Sequence, residues 1–530
     1  MRLGVDFFIR IWYGILFFRY AVIYPLPFVR YSFLLSVMPI FSLANKESEL
    51  RAFALLLFLL AGYSVANIFI GPFLPAFVGL VLPAALLTFF FPRAGFFASV
   101  VMTIVFERFY TLSPLVVGDT EYKLYALDAI LASAFFSVLV LAVQEGRRLS
   151  RLRVSDMLFG AFLVWSIGIF FGGLIASPEM SLATAFSTLK NYVFYGMLFF
   201  FVSYTIRSRD EVFFFAKVFL GGVALATTFL ALGIIRGGGL WTEYTPLSTA
   251  GTRFLAFPHA FTFSLAFLAI FFSAPFWFSD KKRKAVLLWF LTVLAVGIVG
   301  SLMRHLWLGI SGAIVFGLLF FPSEYKRIFF RMSLPFISVG ASVLVIALST
   351  LSLFPQSDVR NDLRRTTEIL SERIFSIGNR YDESLAWREG VWASALGEFG
   401  NNPLFGIGFG AQVPVELGDY RSYVEVRNMH NSWLALLIQT GLIGALLFAS
   451  FLFSLFVTLF KTFSKDAFFM AAKYSVLGLI VFQCLIFFSQ PYLETNLLGI
   501  FFWITLGLAR VLVDIPKSAR PRASALPIEP

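Results

Sequence analysis

Apolar runs of about 20 residues, broken by short polar stretches, occupy most of the chain. A run of that length is what a helix needs to cross the hydrocarbon core of a bilayer, roughly 20 residues at 1.5 Å each. The pattern predicts such helices near 52–71, 73–91, 94–118, 125–144, 157–177, 186–206, 212–235, 259–278, 285–301, 305–322, 333–354, 432–460, 467–490 and 497–514, with a turn at Gly71-Pro72-Phe73. The expectation is therefore an all-α polytopic integral membrane protein with about 14 transmembrane helices, in a range of 12–15.

Composition agrees. Of the 530 residues 59% are hydrophobic and 14% charged, where a soluble domain carries roughly 25% charged residues. The mean hydropathy is +0.84. Soluble enzymes, disordered chains and secreted disulfide scaffolds are excluded. The net charge of +12 does not point to nucleic acid, because the basic residues sit in clusters between apolar runs. Arg147, Arg148, Arg151 and Arg153 form one, and Lys281, Lys282, Arg283 and Lys284 another. Lys326, Arg327 and Arg331 follow, then Lys461 and Lys465, then Lys517, Arg520 and Arg522. With the spans above all of them fall on one side, the cytoplasm by the positive-inside rule. The lone Cys484 lies in an apolar run and leaves no disulfide within one chain. Residues 1–44 mix arginines with aromatics and show no cleavage site of a removable signal peptide; they are expected to lie at the interface or partly in the membrane.

The organisation expected is an N-terminal segment 1–44, transmembrane helices over 45–354, a long loop 355–431, transmembrane helices over 432–514 and a cytoplasmic tail 515–530. The 355–431 loop lies on the side opposite the basic clusters. It has eight Arg, no Lys and eleven Asp or Glu, so its net charge is −3. It is too long for a plain connector, is expected to be mostly helical, and is the natural place for a functional domain. A shorter outer loop spans about 236–258.

Within the long loop, Leu385, Trp392, Leu396 and Phe399 fall on one helical stripe, and Arg388 falls on it too. An arginine on a packed face is costly unless an anion meets it, either a carboxylate of the same loop or a bound ligand. Asn401 to Gln412 read NNPLFGIGFGAQ, whose proline and glycines force turns. His430 and Asn431 sit where the loop meets a span; Asn431 suits a helix N-cap, and His430 suits either an interface or proton transfer. Arg304 interrupts apolar sequence at the outer end of two spans, as a snorkelling or a functional arginine. His259, His305 and His430 all fall on the outer side, at spacings that match no metal-ligand pattern. Asp119 and Glu121 form an outer acidic pair that could hold Mg²⁺ or simply be a solvated turn.

These elements together resemble the O-antigen ligase and O-antigen (Wzy-type) polysaccharide polymerase superfamily. His430, Asn431, Leu434, Gly441 and Gly444 resemble its H-N-x-x-L…G-x-x-G run. Arg388, Trp392, Pro403, Leu404, Gly406 and Gly408 resemble the preceding R-x-x-x-W…N-P-L-x-G-x-G element. Arg304 opens a span as the family's arginine does, with Met303 where the family usually has Ser, and Arg253 in GTRFLAFPHAF resembles an earlier arginine element. Gln439 stands where an acidic residue is common. The resemblance covers roughly residues 240–450.

It implies a GT-C-like membrane glycosyltransferase of the inner membrane. Such an enzyme moves an undecaprenyl-diphosphate-linked glycan onto an acceptor hydroxyl of a glycan or lipid A core on the periplasmic side, inverting the anomeric centre without a metal or cofactor. The implied roles are His430 as general base, and Arg304 and Arg388 as a clamp on the diphosphate. Asn431, Arg253, His259 and Trp392 would contact substrate. The partners implied are the lipid-linked donor, the acceptor and membrane lipid, with no nucleic acid. A protein O-oligosaccharyltransferase of the same family is the near alternative. A polysaccharide or lipid transporter is the distant one, but the charged residues cluster in a loop rather than at mid-membrane in matching halves.

Overall fold

The computed structural model describes residues 46–117, 120–144, 152–176, 181–235, 257–333, 383–417 and 420–518. The expectations for 1–44, for the 236–256 part of the outer loop, for 334–382 and for 519–530 lie outside them.

Helices occupy every expected span except 333–354, which falls almost wholly outside the described residues. They are α1 (Lys46–Phe69), α2 (Leu74–Phe90), α3 (Pro92–Phe106), α4 (Ala126–Gln144), α5 (Val154–Ala176), α6 (Leu182–Thr205), α7 (Arg209–Ile235), α8 (Phe257–Phe272), α9 (Lys281–Gly300), α10 (Arg304–Phe320), α11 (Glu383–Asn401), α12 (Ser432–Lys461), α13 (Ala467–Ile486) and α14 (Asn496–Ser518). Among the described residues nine are long and apolar enough to cross a membrane, while α2, α3, α8 and α10 are shorter apolar helices of 10–17 residues. The protein is thus a mostly helical, multi-pass membrane protein. Helices are the element expected here because each satisfies its own backbone hydrogen bonds, which lipid cannot do.

The buried share of the apolar stretch separates the centre from the rim: it is 83% in α14 and 22% in α9. Trp503 of α14 is fully buried and its Nε1 donates to the Asn191 carbonyl (3.2 Å). Phe58, Phe69 and Ile175 project outward at the perimeter, more than 70% exposed, as lipid-facing side chains do. Two helices contain π turns, Phe77–Val81 in α2 and Lys190–Phe194 in α6. The α2 turn is flanked by Pro75 and Pro83, which lack the N–H a regular ladder needs.

Two expectations are corrected. The span expected over 94–118 stops at Phe106, because Glu107 takes a left-handed backbone (φ 46°) and ends the helix. A single turn and a hairpin, β1 (Leu115–Val117) with β2 (Thr120–Tyr122), follow it. The outer segment expected to be mostly helical is, in its described part, α11 plus a second hairpin, β3 (Gln412–Leu417) antiparallel to β4 (Tyr420–Glu425). Val413 and Val415 alternate inward and join Val391 and Ala395 of α11, Val426, Met429, and Ala435 and Ile438 of α12 in a small core. The α11 stripe is therefore rotated from expectation: Val391 and Ala395 are buried while Leu396 is 46% exposed.

Helices α12 and α14 begin side by side, joined by a Ser432–Glu494 hydrogen bond. Lys461 and Asp514 consequently lie at the far end of the bundle. The three-residue turn between α9 and α10 puts Lys281 at that far end as well. One of its ion pairs is buried: Arg510 (3% exposed) grips Asp156 through Nε (2.8 Å) and Nη2 (2.9 Å), while Arg153 pairs with the half-exposed Asp514. A buried charge is tolerated when bidentate and paired. The described members of the basic clusters thus gather at the end opposite His430.

Candidate functional site

His430 sits in the turn that launches α12, half-buried, with a left-handed backbone (φ 58°). That conformation is uncommon for a side-chain-bearing residue, and its neighbours hold it. Trp392 Nε1 donates to the Met429 carbonyl (2.8 Å) on one side. On the other, Asn431 caps α12, its Oδ1 accepting from Leu434 N–H (3.0 Å). The Trp387 ring meets the imidazole edge-on at 5.7 Å. Nδ1 lies 3.0 Å from Gln490 Oε1. A carbonyl oxygen only accepts, so Nδ1 carries the proton and Nε2 keeps its lone pair. Burial holds the imidazole pKa below its ordinary 6.5; the nearby Arg388 cation adds to this, and the Gln490 hydrogen bond opposes it. The result is an imidazole that is neutral at neutral pH and available as a base through one defined nitrogen.

The structure brings Arg388 and His430 together, Arg388 arriving on α11 one residue after Trp387 and four before Trp392. Arg304 is the first residue of α10, after the tight turn in which Leu302 is left-handed (φ 57°). Next to it, His305 Nε2 is 2.7 Å from the Tyr492 hydroxyl. Tyr492 stacks on Phe257 at 5.3 Å. Residues 487–495, between α13 and α14, are therefore a shared wall: Gln490 meets His430, and Tyr492 meets the start of α10.

Of the other expected residues, Asn431 and Trp392 adjoin His430, and His259 stands elsewhere. His259 is fully buried in α8 and faces Glu107, well inside the packed helices. Asn431 spends its side-chain oxygen on the helix cap, and the hydrogen bond to the imidazole comes from Gln490. Trp392 serves the Met429 turn. Arg253, Asp119 and the side chain of Glu121 lie outside the described residues. The left-handed non-glycine residues among the described ones are Glu107, Leu302 and His430. His430 is itself a candidate residue, Leu302 lies two before Arg304, and Glu107 faces His259.

Sequence reading missed Gln490, Tyr492 and Glu494. The signal was the polar stretch Ser489 to Asn496 between two apolar runs, which reads as a plain connector.

The glycine motifs have a mechanical use. α12 is broken at Gly441 (φ 72°, ψ 179°), and the 403–408 loop docks into the break. Ile407 N–H donates to Ile438 O (2.8 Å), and Leu442 N–H donates to Pro403 O (2.9 Å). A Cβ on Gly441 would lie 2.1 Å from the Leu404 carbonyl oxygen. The 403–408 loop is thereby bolted to the helix that His430 launches. Gly441→Ala is expected to lose at least about 1–3 kcal/mol through backbone strain alone, seen as a lower melting temperature in detergent. A wild-type melting temperature would show that the joint is not needed.

A multi-pass helical membrane protein with a histidine and arginines gathered at one end of the bundle is the class these observations define. Residues 286–449 match the family model described as O-Antigen ligase, so the resemblance to the O-antigen ligase and polymerase superfamily holds for that segment. The match contains Arg304, Arg388, Trp392, His430 and Asn431. No curated protein matches the chain.

Proposed function

We propose that the chain is a glycosyltransferase of the inner membrane. It takes a glycan from undecaprenyl diphosphate on the periplasmic side and transfers it to a hydroxyl of a glycan or of lipid A core. The observation that carries the reading is His430 with Nδ1–H held by Gln490 beside Arg388, inside the segment matching the O-Antigen ligase family.

The reaction asks for two services. The acceptor hydroxyl must lose its proton as its oxygen attacks C1, and His430 Nε2 takes that proton. The bond from C1 to the phosphate oxygen breaks, and the diphosphate leaves with the electron pair. Arg304 and Arg388 bind the diphosphate and offset the charge it gains, through forked hydrogen bonds that stay charged in any environment. Attack on the face opposite the leaving group inverts the anomeric centre. The basic clusters at the far end face the cytoplasm in this reading, and residues 355–431 face the periplasm.

Purified protein in vesicles, supplied with a lipid-linked glycan and an acceptor saccharide, is expected to form the glycoside in excess EDTA at the same rate as without it. In the same preparation a single cysteine at position 370, in a Cys484→Ala background, is expected to be labelled only from the face where product forms. Activity lost in EDTA and restored by Mg²⁺ would remove the arginine-only mechanism. Labelling of position 370 only from the opposite face would remove the topology.

A further inference from the structure

Glu494 is 6% exposed, yet among the described residues no lysine, arginine or histidine nitrogen lies within ion-pair distance of it. An isolated buried carboxyl is costly and is retained only where hydrogen bonds satisfy it. Here both oxygens are engaged. Oε1 accepts from the Tyr192 hydroxyl (2.8 Å), in the π turn of α6, and Oε2 accepts from Ser432 Oγ (2.5 Å), in the first turn of α12. The Glu494 backbone carbonyl accepts from Asn191 Nδ2 at 2.5 Å. One residue thus ties three elements together directly behind His430.

The connection onward to the imidazole is short. Ser432 Oγ lies within reach of a second acceptor, the Gln490 carbonyl (3.1 Å), and accepts from Leu493 N–H (3.2 Å). Ser432 N–H donates to the Phe487 carbonyl (2.8 Å). Both ends of the 487–495 wall are therefore pinned to the residue two places after His430, and Gln490 hangs from the middle of that wall.

We propose that Glu494 is the positioning residue for His430. Through Ser432 it fixes the 487–495 wall so that Gln490 accepts from Nδ1 and Nε2 is presented to the acceptor hydroxyl. This rests on the reading of His430 as the base. Burial pushes the Glu494 carboxyl up to about 7, against the hydrogen bonds from Ser432 and Tyr192 and the more distant Arg427. The carboxyl therefore changes charge near neutral pH. When it is protonated the Ser432 hydroxyl has one fewer acceptor there and the Gln490 carbonyl remains. The groups that bear on this pair are Tyr192, Ser432 and Arg427 around Glu494, and Arg388, Trp387 and Gln490 around His430.

The test reads the imidazole directly. Diethylpyrocarbonate modifies unprotonated imidazole, and peptide mass spectrometry separates His430 from His305 and His259. Wild type, Glu494→Ala, Glu494→Gln, Ser432→Ala and, as a reference, Gln490→Ala are labelled from pH 5 to 8 and assayed for transfer. In Glu494→Ala and Ser432→Ala the His430 rate is expected to rise several-fold and its midpoint to move as in Gln490→Ala. Turnover should fall about tenfold or more while donor KM stays within roughly twofold, the signature of a mispositioned base rather than lost binding. Glu494→Gln, which keeps the volume and one acceptor, should fall between. If Glu494→Ala does not fold, Glu494→Gln and Ser432→Ala decide the matter. Wild-type labelling of His430 in folded variants overturns the proposal, even with His430→Gln inactive. Full activity in His430→Gln overturns the base reading and with it the catalytic part of this one, whatever the labelling shows.

Discussion

His430→Ala and His430→Gln are expected to lose about 10²- to 10⁴-fold in transfer rate, the usual contribution of a general base. Donor binding should change little, because in the proposed mechanism the arginines hold the diphosphate. The geometry sharpens the pH dependence. Gln490 fixes the proton on Nδ1, and burial together with Arg388 lowers the imidazole pKa. A base is active when unprotonated, so the limb of the pH profile that His430 contributes should fall as pH drops through a midpoint below 6.5 and vanish in the His430 variants. Asn431→Ala should behave differently. Its side chain caps α12, so the expected loss is about 1 kcal/mol of stability with a milder effect on rate. A well-folded, fully active His430→Gln would return the residue to an ordinary interfacial histidine.

The contrast between His430 and Asn431 shows how the sequence could and could not be read. Apolar runs foretold helices because lipid leaves few other ways to satisfy a backbone. The ends were less legible. No local signal announces that Glu107 turns left-handed and stops α3, since the side chain it faces, His259, arrives from α8. The α11 face was misread because burial fell on the small Val391 and Ala395, while the bulkier Leu396 points outward. His430, Arg388 and Arg304 were legible as polar residues in places where polarity is costly. Their support was not. Gln490 and Glu494 lie about 60 residues beyond the groups they hold, in a stretch whose composition is that of a simple turn. The same distance hides Asp156 and Arg510, which are 354 residues apart and meet only in the packed bundle.

Arg304→Ala and Arg388→Ala are each expected to lose about 10²-fold or more in turnover, the scale of removing one preorganised charge-stabilising donor from a transition state. The two should differ in how they do so. Arg304 opens α10, and the positive end of that helix dipole favours an anion there as well. Part of the proposed anion site would survive its removal. Arg388 has no such help from its own helix, which it joins in mid-course. Arg388→Lys should therefore stay badly impaired, because it keeps the charge but loses the fork that grips two oxygens at once, whereas Arg304→Lys should recover more. Arg388→Ala should also raise the His430 pKa, since the cation that helps depress it is gone, moving the acid limb of the pH profile upward. That shift separates an arginine beside the base from one that merely stabilises the loop. If Arg388→Ala turns over near the wild-type rate with an unmoved acid limb, the diphosphate is held elsewhere.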